Sequence, residues 1–82
     1  MPSPPDVTVY WRPGCFFCAS LIGRLDGAAI RYRAVNIWDD PHAAAFVRSV
    51  ADGNETVPTV TIGDTALVNP SFSTLTAALD AA

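Results

Sequence analysis

Eighty-two residues are enough for one domain, and a chain of this size buries only about 60–65 % of its unfolded surface, so its core must be efficient. Half of the residues are hydrophobic, the net charge is −3, and the basic residues are five arginines with no lysine. That balance argues against disorder, against a nucleic-acid interface and against a basic helix lying on a membrane surface. No apolar run approaches the ~18–20 residues of a transmembrane helix, and Met1 to Asp6 lacks the basic start and apolar stretch of a secretory signal. A cytoplasmic location, with neither nucleic acid nor membrane as partner, is therefore expected. A pair of cysteines in that compartment is rarely a structural staple.

Residues 1–5 read as a short flexible lead to a single domain spanning residues 1–82. Val7 to Trp11 is β-branched and aromatic, which predicts a first strand. Pro13-Gly14 breaks it. From Cys15 to Leu25 the positions Cys18, Leu21, Ile22 and Leu25 share one helical face, and Gly27 is a natural stop. Gly23 weakens this helix, and its small size suits a close contact between helix and sheet. Ile30 to Ile37 predicts a second strand, with Ile30, Tyr32, Val35 and Ile37 as its apolar members, and alternation turns Arg31 and Arg33 to the face opposite Ile30 and Tyr32.

Asp40-Pro41 is a helix start, Asp as N-cap and Pro at the first helical position. Ala43, Phe46, Val47 and Val50 form that helix's apolar stripe, and Asp52-Gly53-Asn54 ends it. Val57 to Ile62 and Thr65 to Val68 read as two more strands joined by Gly63-Asp64, a turn with Gly in the first position as type II′ requires. Asn69-Pro70-Ser71 opens a last helix whose apolar face is Phe72, Leu75, Ala78 and Leu79. The order β-α-β-α-β-β-α begins with a parallel βαβ unit and predicts an α/β domain with helices on both faces of a four-stranded sheet.

Cys15 and Cys18 are the only cysteines. One helical turn places i and i+3 side chains roughly 5–6 Å apart, within a small adjustment of disulfide distance, so the pair can open and close without remaking the fold. Cys15 stands where a strand ends and a helix begins. Unpaired backbone N–H groups and the positive end of the helix dipole there stabilise a thiolate. Arg12 is a second source of positive potential. Cys18, one turn in and on the buried side, is the less exposed sulfur. The asymmetry assigns Cys15 as nucleophile and Cys18 as resolving thiol. A zinc site would need more ligands than these cysteines and the lone His42 provide, so no metal and no bound cofactor are expected. An inert core pair is the bland alternative.

Thr56-Val57-Pro58 is the other informative element. Proline cannot donate to a strand ladder, so Pro58 at a strand entry marks either an edge feature or a cis bond. Of Phe16 and Phe17, at least one should be exposed and offer a contact surface beside the nucleophile. Trp11 reads as core near the strand end, Trp38 as partly exposed with no assigned role, and His42 as solvated.

Cys15-Phe16-Phe17-Cys18 after a first strand, with Thr56-Val57-Pro58 before a hairpin and a last helix, resembles a glutaredoxin of the thioredoxin superfamily from about Val7 to Leu79. The resemblance implies a thioredoxin-like fold, a cis Pro58 lying against the cysteines, and a substrate groove at Thr56, Val57 and Pro58 whose backbone pairs with the bound thiol or peptide. Ala43 to Val50, Gly53 to Val60 and Asn69-Pro70-Ser71 are most similar to the actinobacterial mycoredoxins, which use mycothiol in place of glutathione. Glutathione-type members usually carry Gly-Gly where Val68-Asn69-Pro70 stands and commonly Lys where Arg12 stands. Phe16 also replaces a usual small residue or proline. Asn69 and Ser71 either cap the last helix or, at that helix start, help to hold a carboxylate of the low-molecular-weight thiol.

The resemblance thus implies a thiol–disulfide oxidoreductase acting on mixed disulfides between proteins and a low-molecular-weight thiol, mycothiol, as co-substrate, and a monomer is the default. That thiol or a flavin-dependent reductase would be its electron source. Two alternatives stand beside it. One is a dithiol electron donor recharged by thioredoxin reductase, for example for ribonucleotide reductase. The other is a non-catalytic thioredoxin-fold binding module.

Overall fold

The computed structural model describes residues 5–82; the expected flexible lead, apart from Pro5, lies outside the described residues. The elements follow the expected order: β1 (Val7–Trp11), α1 (Phe16–Gly27), β2 (Arg33–Asn36), α2 (Pro41–Val50), β3 (Thr59–Ile62), β4 (Thr65–Val68) and α3 (Phe72–Ala81). The sheet runs β2-β1-β3-β4. β1 pairs with β2 in parallel, Trp11 facing Asn36, and with β3 in antiparallel, Val9 facing Val60. The β3–β4 hairpin turns at Gly63-Asp64, with Ile62 paired to Thr65. Gly63 has φ +56° while Asp64 keeps a negative φ, the pattern of the expected type II′ turn.

Strand alternation divides the core between the two faces of the sheet. Val7 and Val9 of β1 and Val60 and Ile62 of β3 pack with Leu21 and Leu25 of α1 and Leu75 of α3. On the other face Tyr10 and Val35 meet Ala43, Ala44, Val47 and Ala51 of the α2 segment, and the Tyr10 and Phe46 rings lie 5.2 Å apart. Leu25 and Leu75 are fully buried, so truncating either to Ala should cost about 2–5 kcal/mol. The α2 stripe is turned from the expected one. Ala44 and Ala51 are buried, whereas Phe46 and Val50 are half-buried, because small residues let the helix lie close to the sheet.

Capping explains the element boundaries. Asp40 accepts the N–H groups of His42 and Ala43 with Pro41 next to it, as expected for an N-cap. α1 ends at Gly27, as that residue's identity suggests, but Gly27 does not take the left-handed conformation. The left-handed residue is Ala29, at φ +55°. Ala29 N–H donates to Asp26 O and Ile30 N–H to Leu25 O, which is a Schellman closure. With the Ile30 N–H spent there, β2 begins at Arg33 rather than Ile30. Arg31 and Arg33 are exposed as expected. Similarly β3 begins at Thr59 rather than Val57, because Pro58 has no N–H for the ladder.

The Tyr32 hydroxyl donates to Asp26 at 2.8 Å. That bond, with some desolvation and the Asp26 charge, raises the phenol's pKa above its ordinary 10.0. Its contribution to stability is therefore present below pH ~10 and lost as pH rises through the folded value.

Gly23 does not touch the sheet. It is exposed, and a Cβ there would meet nothing within 4 Å. Replacing it with Ala should stabilise the protein by up to ~1 kcal/mol. Ala29→Gly should do the same, by about 0.5–1 kcal/mol, by relieving a left-handed Ala. Urea denaturation checks both: the midpoint rises for each variant, and a fall for Gly23→Ala would mean that α1 is approached closely after all.

Candidate active site

The chain leaves β1 at Trp11 and turns at Pro13-Gly14, where Gly14 takes φ +78°, a conformation only glycine adopts cheaply. Cys15 is then delivered to the N-cap of α1 with extended dihedrals, φ −92° and ψ 106°. Its carbonyl accepts the first helical bond, from Ala19 N–H at 3.1 Å, and its Sγ accepts the Cys18 N–H at 3.1 Å. A sulfur thus fills the place usually taken by a Ser or Asp oxygen. Cys15 and Cys18 are joined by a disulfide, with their Cα atoms 5.2 Å apart. Cys15 is half-buried and Cys18 only 2 % exposed, so the pair has the expected asymmetry.

The opposing wall comes from the segment before β3. The Val57–Pro58 peptide is cis, and the Val57 carbonyl oxygen lies 3.8 Å from Cys15 Sγ. Pro58 is fully buried. Thr59 holds this wall in place and is not singled out by the sequence. It is completely buried, and its Oγ1 donates across Val57-Pro58 to the Thr56 carbonyl at 2.8 Å. Its only signal is a β-branched polar residue directly after Pro58, which reads as ordinary strand.

Asn69 also belongs to the wall. It sits at φ +48°, and its N–H donates to Pro58 O at 2.8 Å. It therefore braces the proline rather than capping α3. Ser71 alone caps that helix, accepting the Thr74 N–H at 3.1 Å.

Aromatic rings flank the cysteines. Phe16 is 80 % exposed, Phe17 66 % and Trp38 62 %, so both phenylalanines face outward where at least one was expected to. Phe16 and Phe17 meet edge to face at 6.1 Å. The Arg12 guanidinium lies 5.8 Å from the Trp38 ring centroid. Arg12 also lines a pocket of about 300 Å³ with Trp11, Cys15, Cys18, Ile22 and Tyr32. Thr56 to Pro58 take no part in that pocket, so the disulfide borders two distinct surfaces. Trp11 is half-buried on this second side, and His42 is exposed as expected.

Glu55, next to the wall, is ion-paired to Arg48 at 2.9 Å, both partly exposed. Among the described residues no group of three potential metal ligands is present, and no helix is long and apolar enough to cross a membrane.

Thr59→Val keeps the shape of the wall but leaves the Thr56 carbonyl without its donor. It should destabilise the protein by about 1–3 kcal/mol and slow disulfide reduction while leaving the cysteines intact. Paired denaturation and turnover measurements check this, and unchanged values in both would remove Thr59 from the site.

The sequence model of the glutaredoxin family matches residues 7–67. Mycoredoxin 1 of Corynebacterium glutamicum is 38 % identical over 77 residues, covering 93 % of this chain and 95 % of the relative. Among solved structures, the glutaredoxin-like protein NrdH-redoxin from Escherichia coli superposes with a TM-score of 0.68 at 25 % identity, over 82 % of this chain and 83 % of that one. The thioredoxin-like protein BC3987 superposes with a TM-score of 0.77 at 21 % identity, over 88 % and 97 % respectively, a likeness that speaks for the fold. With the matched stretch holding both cysteines and the wall opposite them, the chain belongs to the glutaredoxin family and is a thiol–disulfide oxidoreductase built around Cys15 and Cys18.

Proposed function

We propose that the protein reduces mixed disulfides between proteins and a low-molecular-weight thiol, with Cys15 as nucleophile, Cys18 as resolving thiol and mycothiol as the small thiol. The observation that carries the assignment of roles is the Cys18 N–H aimed at Cys15 Sγ at 3.1 Å. In the reduced protein the same N–H, with the helix dipole behind it, stabilises negative charge on Cys15. Cys18, almost wholly buried, waits one turn inside. The preference for mycothiol is supported by the 38 % identity to Mycoredoxin 1.

The Cys15 thiolate attacks the small-thiol sulfur of the mixed disulfide. That S–S bond breaks, and the protein thiolate leaves and takes a proton from water. Cys15 now carries the small thiol. A second small thiolate can attack that adduct, releasing the symmetric disulfide and restoring Cys15. Alternatively Cys18 loses its proton and attacks Cys15 Sγ, expelling the small thiol and forming the Cys15–Cys18 disulfide, which two electrons from a reductase reopen. Val57 and Pro58 present backbone to the bound disulfide, and Phe16 and Phe17 offer the protein partner an apolar contact.

The likeness to NrdH-redoxin, described as having a thioredoxin-like activity profile, favours a second reading. Here the Cys15–Cys18 disulfide is recharged directly by thioredoxin reductase, and the protein donates both electrons to a client enzyme.

Two experiments test these readings. Mixed disulfides of one reporter protein with mycothiol and with glutathione are each supplied with the matching small thiol, reductase and NADPH. Faster turnover of the mycothiol disulfide is expected, and equal rates would remove the preference. Cys15→Ser should abolish turnover and Cys18→Ser retain it through the second-thiol route. In parallel, the oxidised protein is mixed with thioredoxin reductase and NADPH. Rapid loss of NADPH absorbance, together with slow turnover of both mixed disulfides, would favour the dithiol-donor reading.

A further inference from the structure

Trp38 is a large apolar side chain, mostly in solvent, at the active end of the sheet, and neither the fold nor the disulfide chemistry explains it. It follows β2 directly. Because β1 and β2 are parallel with Trp11 facing Asn36, Trp38 emerges at the same end of the sheet as Cys15, where α/β proteins commonly bind ligands. The backbone fixes its position. Ile37 N–H donates to Trp11 O at 2.9 Å, and Trp38 N–H donates to the Asn36 side-chain oxygen at 3.0 Å. The Asn36 amide in turn donates to Asp39 at 3.3 Å. Arg12, which lines the pocket beside Cys15, lies over the ring at 5.8 Å. Trp38 remains 62 % exposed, so most of the side chain is open to a ligand.

The charges around it restrict what that side chain can take. Arg24 lies over Phe72 and Arg48 is paired with Glu55. Arg33 opens β2 and Arg31 precedes it, at the far end of the sheet. Among the described residues Arg12 is thus the single cation beside the cysteines, and Asp39 and Asp40 follow Trp38 directly. A small thiol carrying two carboxylates meets one cation and two acids here. A neutral, polyhydroxylated thiol meets an aromatic face for its ring C–H groups, with Asn36, Asp39 and Arg12 around it for its hydroxyls. The Ser71 oxygen is engaged within the first turn of α3, and a neutral thiol needs no carboxylate site there.

We infer that Trp38 is a specificity-determining residue that stacks against the sugar ring of an uncharged, sugar-bearing cysteinyl thiol while its sulfur is exchanged at Cys15. The inference rests on the proposed reduction of small-thiol mixed disulfides and names the part of that thiol the protein grips. Nothing in the chemistry of sulfur exchange requires Trp38, so its effect belongs to recognition of the ring alone.

The test compares one reporter peptide in mixed disulfide with mycothiol, whose cysteine is amide-linked to an amino sugar, and with N-acetylcysteine amide, which is also neutral but lacks the ring. The readout is single-turnover loss of the reporter disulfide for the wild type, Trp38→Ala and Trp38→Tyr. Trp38→Ala should raise the half-saturating concentration of the ringed disulfide about tenfold, the equivalent of ~1.4 kcal/mol of lost contact. Its limiting rate should stay unchanged, as should the rate with the ring-free disulfide, and Trp38→Tyr should restore most of the loss. Equal losses on both substrates, or none on either, would overturn the stacking role while the reductase reading stands. A wild type that reduces neither disulfide would remove the reading beneath it, and the inference with it. The ring-free substrate and a matched denaturation midpoint control for folding.

Discussion

The Cys15 sulfur is tied to the fold through one backbone N–H. Cys15 stands at the N-cap of α1, so the helix that begins there must point the Cys18 N–H at Cys15 Sγ. That bond settles three things together. It sets where charge can reside, on the sulfur facing the helix terminus. It keeps Cys18 one turn inside, nearly out of solvent. It also keeps the two Cα atoms 5.2 Å apart, within the range a disulfide spans without moving the backbone. The redox pair is therefore a capping arrangement in which sulfur replaces the usual oxygen, and the rest of the fold serves to hold that cap still.

The sheet provides the rigidity. β1 carries the chain to Cys15 from between its partners β2 and β3, with α1 and α3 packed on one face and α2 on the other. β3 brings the opposing wall beside it, so Val57 and Cys15 approach from adjacent strands. The wall is braced twice, by the buried Thr59 hydroxyl donating to the Thr56 carbonyl and by the Asn69 N–H donating to the Pro58 carbonyl. β4 and the start of α3 thereby act on the site without contacting the sulfurs. Asn69, in left-handed conformation, is the joint that lets the hairpin return to Pro58 before Ser71 opens the last helix.

Much of this was legible in the residues. The cysteine spacing, the Pro13-Gly14 break and the strand pattern before it locate the cysteine pair at the start of α1. Asp40-Pro41 and Gly63-Asp64 act through local chemistry that a sequence displays directly. Misreadings arise where one residue's role depends on distant partners. α1 does end at Gly27, yet the left-handed turn falls two residues later at Ala29, where the Ile30 N–H can close back on Leu25 O. Gly23 reads as a packing glycine but faces open space. Phe46 and Val50 read as buried but are only half-buried, while Ala44 and Ala51 are buried in their place. Thr59 and Trp38 are hardest to read, since a strand threonine and a loop tryptophan acquire meaning only from what stands across from them.

The central claim is the division of labour between the two sulfurs, and the intermediate reports it directly. The reduced wild-type protein is mixed with a small-thiol mixed disulfide, quenched in acid within one turnover, and the adduct is located by fragmentation mass spectrometry. The account predicts the small thiol on Cys15, at the mouth of α1. An adduct on Cys18, or one shared evenly between the two cysteines, would contradict it.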